Sequence, residues 1–100
     1  MTESEIQKQI LSWLEFSGIE AWRQNSGKGK HNMYLAPAGT PDIIGYMPDG
    51  RFIGIEVKQP KKQPTDNQVE WMEKAIKAGC LVFVAHSLDE VIREIERGIG

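Results

Sequence analysis

Pro48-Asp49-Gly50 lies between two apolar runs, Ile43 to Met47 and Phe52 to Val57, and no other feature constrains the fold of this chain so tightly. A proline followed by Asp-Gly is a turn signal, and strand-forming runs on both sides of it read as an antiparallel hairpin. Symmetric pairing about Asp49 sets Ile43 opposite Ile55 and Asp42 opposite Glu56. Directly opposed residues share a face of the sheet, with Cβ atoms about 5 Å apart. Lys58 stands two residues beyond Glu56, so it projects from that same face. Ile43, Ile53, Ile55 and Val57 then form the opposite, buried face, while the Val57 carbonyl stays beside Glu56. Two carboxylates and a lysine thus meet at one end of a hairpin.

The rest of the chain supplies helices with well-marked starts. Thr2-Glu3-Ser4-Glu5, Thr65-Asp66-Asn67-Gln68 and Ser87-Leu88-Asp89-Glu90 all read as capping boxes. Ile6, Ile10, Trp13 and Leu14 follow the first at helical spacing, and Gly18 ends that helix. Val69, Met72, Ala75 and Ile76 follow the second, with Gly79 as terminator. Val91, Ile92 and Ile95 follow the third, then Gly98. Ile19 to Gln24 reads as a short strand. Cys80 to Ala85 is a continuous apolar run, as in a strand buried on both faces. Asn25 to Pro41, rich in Gly, Lys and Asn, reads as a long loop. The order α-β-β-β-α-β-α implies a parallel crossover into the last strand and a small mixed α/β sheet flanked by helices.

Composition limits the partners. One hundred residues, 40% hydrophobic and 26% charged, describe a single folded domain spanning 1–100. No run reaches the roughly 18 apolar residues of a membrane span. Met1 to Glu5 carries no basic-then-apolar secretion signal, and the lone Cys80, which forms no internal disulfide, fits a reducing cytoplasm or simply no need for staples; a cytoplasmic location is the expectation. The net charge of −2 argues at first against nucleic acid. Its distribution argues the other way. Residues 21–62 hold seven bases against three acids, while 1–20 and 63–100 each balance at −3. The middle segment is where an anionic partner is expected.

Two carboxylates held that close repel one another unless a cation lies between them. Oxygen ligation suits a hard ion such as Mg²⁺ or Mn²⁺, which takes one or two carboxylates, waters and substrate phosphate. A lysine beside such a pair orients water or neutralises developing charge. The spacing therefore suits metal-dependent phosphodiester hydrolysis. An exposed Glu-Lys strand pair with no chemical role is the other reading of the same residues. No Walker A loop is present, so a nucleotide cofactor is not expected.

Gly39-Thr40-Pro41-Asp42 followed by Ile55-Glu56-Val57-Lys58 resembles the PD-(D/E)XK nuclease signature. Glu5, Trp22-Arg23-Gln24-Asn25-Ser26-Gly27, and Gln68 with Trp71 resemble its VRR-NUC branch. The resemblance runs from about Glu5 to Ser87. It implies a restriction-endonuclease-like αβββαβ core. It further implies a metal held by Asp42 and Glu56 with the Val57 carbonyl, a Lys58 that serves the attacking water, and Gln68 in support. Small free-standing members of the family, viral and bacterial, imply a homodimer that cuts branched DNA such as four-way junctions. A catalytically silent nucleic-acid-binding module on the same fold is the alternative.

Several residues carry two readings. Glu5 and Gln68 are capping-box partners, or site residues, or both; Glu5 as a site carboxylate would serve a second metal. Arg23, Asn25, Lys28, Lys30, Lys61 and Lys62 are placed to grip a DNA backbone, with a solvated surface as the alternative. Trp13 and Trp71 fall on apolar helical stripes and read as core, and Cys80 reads as structural.

Overall fold

A computed structural model describes residues 1–24 and 36–99. Its elements are α1 (Glu3–Phe16), β1 (Glu20–Arg23), β2 (Ile43–Tyr46), β3 (Phe52–Val57), α2 (Asp66–Lys77), β4 (Leu81–Ala85) and α3 (Leu88–Ile99). The four strands form one sheet in the order β1-β2-β3-β4. The first three are antiparallel and β4 runs parallel to β3. No helix of the described residues is long and apolar enough to cross a membrane.

The β2–β3 register is set by its turn. Met47 N–H donates to the Arg51 carbonyl and Gly50 N–H to the Met47 carbonyl, with Gly50 at φ +93°. A three-residue loop of this kind needs a left-handed residue before the second strand, which glycine supplies without strain. Asp49 accepts from the Arg51 backbone and guanidinium, fixing the loop. Ile43 consequently pairs with Ile55, and Ile43, Ile53, Ile55 and Val57 are fully buried. That face packs against the α1 stripe of Ile6, Ile10 and Leu14, and Val91 and Ile95 of α3 complete the core.

Two capping boxes are complete. Thr2 and Glu5 exchange side chain and backbone at the start of α1, as do Thr65 and Gln68 at α2. The third is half formed. Ser87 accepts from Glu90 N–H, but the Glu90 carboxylate turns to the His86 backbone N–H instead.

Two expectations change. Cys80 to Ala85 is not a strand buried on both faces. β4 begins at Leu81 and is an edge strand, in which only Val82 and Ala85 are buried. Its apolar run reflects partial cover by α2 on one side and α3 on the other. Nor does Gly98 end α3, which runs on to Ile99. Gly98 is there for close packing, since a Cβ would press on the Leu81 side chain at about 3.0 Å. Its carbonyl also accepts from Arg51.

Candidate active site

Asp42 immediately precedes β2, and the β2–β3 register carried one step further sets it opposite Glu56. The Asp42 carboxylate accepts from Val57 N–H at 2.9 Å, so it leans across the end of β3. Its backbone carbonyl accepts from Gln24 N–H at 2.7 Å, which ties it to β1 as well. Glu56 lies between Asp42 and two further side chains. Gln68 Nε2 donates to Glu56 Oε1 at 2.8 Å, and Lys58 Nζ stands 3.9 Å from the same oxygen. The sequence thus places Asp42, Glu56, Lys58 and Gln68 together through one hairpin and one helix start.

Gln68 has both of the roles that the sequence offered. Its Oε1 accepts from Thr65 N–H to close the capping box, while Nε2 reaches Glu56. Packing of α2 brings this amide within reach. Gly39, at φ +88°, forms the turn Pro37–Thr40 and lies against the α2 N-terminus. A Cβ there would overlap the Asn67 carbonyl. Gly39→Ala is expected to lower the stability by about 2–3 kcal/mol in urea unfolding, combining left-handed strain with a backbone clash.

Glu56 is 3% exposed, and its Oε2 has no hydrogen-bond partner. Burial above all, then the negative charge of Asp42, pushes Glu56 up to about 8. Lys58 opposes this shift and Glu3 adds to it. The protein thus holds a proton where two carboxylates meet, at a pH at which an exposed glutamate would have lost it.

The structure separates Glu5 from this group. Its carboxylate is exposed, and it accepts from Thr2 N–H, which holds it below the usual carboxylate range. Glu3 is the α1 acid on the site side. It accepts from Gln59 N–H at 3.3 Å, and its charge is felt at Glu56. The signal was present in the sequence: Glu3 is three residues before Ile6 and seven before Ile10, on the core stripe, whereas Glu5 is off it. Among the described residues, no three His, Cys, Asp or Glu side chains group closely enough to hold a metal.

The basic residues are spread around this centre. Arg23 donates to the Ser4 carbonyl of α1, on the opposite face of the sheet from Glu56. Lys61 and Lys62 are exposed in the turn after β3, where Lys62 N–H donates to the Gln59 carbonyl. Lys61 takes φ +72°, a left-handed conformation unusual for lysine. Asn25, Lys28 and Lys30 lie outside the described residues.

The VRR-NUC domain family model matches residues 1–89. The chain belongs to this family. A solved structure of a VRR-NUC domain is 29% identical and superposes with a TM-score of 0.73 over 94% of each chain. A VRR-NUC domain protein is 25% identical, with a TM-score of 0.62 over 99% of this chain and 88% of the other. No curated protein matches. VRR-NUC domains are nuclease-type, with DNA as the corresponding partner, and the family implies dependence on a divalent metal.

The residues of this VRR-NUC domain fit such an ion. Glu56 Oε2 is a buried acceptor without a donor, beside the second carboxylate, Asp42. A divalent cation would supply the positive charge that both oxygens lack, and the donor set is all oxygen, as hard ions require.

Proposed function

We propose that the protein is a Mg²⁺- or Mn²⁺-dependent endonuclease that hydrolyses DNA phosphodiester bonds, acting as a homodimer on branched DNA such as four-way junctions, in the cytoplasm of a bacterial or virus-infected cell. The observation that carries this reading is the Asp42–Glu56 pair, with the buried, orphaned oxygen of Glu56, flanked by Lys58 and Gln68 in the fold of a nuclease family.

Asp42 and Glu56, with the Val57 carbonyl, would hold the cation, which when bound stabilises negative charge on the phosphate and activates water. Val57 N–H fixes one oxygen of Asp42, and Gln68 fixes one oxygen of Glu56. Both carboxylates therefore keep their free oxygens aimed with little freedom, so little order has to be imposed on binding. The Lys58 ammonium, on the same face, orients the attacking water and offsets charge developing on the phosphate. Gln68 also sits at the α2 N-terminus, whose dipole favours an anion.

The deciding experiment incubates duplex, flap and four-way junction DNA with the protein and Mg²⁺ or Mn²⁺, and maps the cuts. Symmetric paired cuts in the junction are expected, with two active sites related by a two-fold axis. Binding without cleavage on every substrate would favour a silent DNA-binding module. Lys61→Gly offers a separate test of the surface after β3. It removes one phosphate contact and relieves a left-handed lysine. DNA affinity is expected to fall uniformly across sequences, with the salt slope reduced by about 1. Thermal stability should not fall.

A further inference from the structure

We infer that Gln24 is a positioning residue for the divalent ion, its side-chain oxygen accepting a hydrogen bond from the ion's hydration shell. The inference rests on the proposed metal-dependent reading of the Asp42–Glu56 pair.

Three residues form one row across the sheet. The β1–β2 pairing sets Trp22 opposite Ile44 and Arg23 opposite Ile43, and the next step sets Gln24 opposite Asp42. The bond from Gln24 N–H to the Asp42 carbonyl shows that pairing continues to this step. The β2–β3 register continued in the same way sets Asp42 opposite Glu56. Directly opposed residues project from one face, so Gln24, Asp42 and Glu56 share the face that carries the carboxylates. Arg23, on the alternate face, reaches α1 instead, as the strand period requires.

The two ends of this row share an anomaly. Among the described residues, two buried side-chain atoms lack any hydrogen-bond partner: Gln24 Oε1 and Glu56 Oε2. Both are acceptors, and they flank Asp42, which is an acceptor too. A buried amide oxygen without a donor costs free energy, and such groups are rare away from functional sites. What the row lacks is a donor or a positive charge. A bare cation between Asp42 and Glu56 satisfies Glu56 but leaves the uncharged Gln24 oxygen one strand further out. Hard divalent ions held by one or two carboxylates keep several of their waters. Such a water, polarised by the ion, is the donor that Gln24 Oε1 is missing. Groups in this outer position orient the ion's ligands and typically contribute 10- to 100-fold in metal affinity.

The test measures Mn²⁺ binding by calorimetry without DNA, and melting in EDTA, for the wild type, Gln24→Leu, Gln24→Glu and Asp42→Asn. Gln24→Leu is expected to bind Mn²⁺ about 10-fold more weakly and to melt in EDTA no lower than wild type, because it removes an unpaired buried acceptor. Gln24→Glu keeps an acceptor at the same reach and is expected to bind at least as tightly as wild type. A merely structural amide would not produce that split. Wild-type affinity in Gln24→Leu, or an equal loss in Gln24→Leu and Gln24→Glu, overturns the inference while leaving the metal reading intact, provided that Asp42→Asn loses binding. Failure of the wild-type protein to bind Mn²⁺ overturns both.

Discussion

Glu56→Gln is expected to lower the rate of DNA cleavage by about 10³-fold and, in the same protein, to raise the stability of the metal-free form at pH 8. The two effects have one cause. At pH 8 the Glu56 carboxylate is half ionised, buried, and without a donor on Oε2. Glutamine has the same shape, carries no charge, and presents an amide to Asp42. Removing a poorly paired buried charge is expected to gain about 1–3 kcal/mol in EDTA at pH 8 and nothing at pH 5, where Glu56 is already neutral. The lost charge is also the one a cation needs, so activity falls as stability rises. Asp42→Asn should lose cleavage comparably while its side-chain oxygen still accepts from Val57 N–H. Lys58→Ala should also lose cleavage, with Gln68 still on Glu56. Single-turnover cleavage alongside thermal melts reads all three. Undiminished cleavage in any of them would remove that residue from the proposed site.

The hairpin was legible because two independent constraints fix it. The Pro-Asp-Gly turn sets where the strands cross, and a one-residue slip would turn Ile43, Ile53, Ile55 and Val57 to the wrong face. Asp42, Glu56 and Lys58 follow from that register alone. Gln68 was legible as a cap; its contact with Glu56 depends on how α2 packs, which local spacing does not encode. Glu3 was obscured by its neighbour. The capping box drew attention to Glu5, while the argument that selects Glu3 is its place on the Ile6–Ile10–Leu14 stripe. Gly98 and β4 misled for a related reason. A terminal glycine and an apolar run look the same in sequence whether they end a helix and fill a core, or pack an edge strand between helices α2 and α3. For Gly98 the deciding contact is with Leu81, far along the chain.

The metal-free protein is expected to lose stability as the pH rises from about 4.5 to about 8, and then to level off. The Glu56 carboxyl titrates near 4.5 when unfolded and near 8 when folded. Between those values the folded state binds more protons than the unfolded state, so each rise in pH favours unfolding. The contribution is fully present below 4.5 and lost above 8. Its size is on the order of 3 kcal/mol once solvent screening is allowed for. Glu5, Asp49 and Glu90 shift the opposite way, each held low by hydrogen bonds from neighbours. Their effect lies on the acid side and is complete once they are ionised in both states. A divalent cation should invert that slope. It competes with the Glu56 proton, so its affinity rises with pH, and the stability it adds grows with occupancy. Millimolar Mn²⁺ is therefore expected to raise the melting temperature at pH 8 and to do little at pH 5. Binding should release a proton, seen as a buffer-dependent calorimetric enthalpy. A melting profile in EDTA that is flat from pH 5 to 8 would mean that Glu56 is not the buried acid described. A Mn²⁺ shift equal at both ends would mean that the ion binds elsewhere. The Glu56→Gln protein separates these cases, since it should lack both the slope and the Mn²⁺ response.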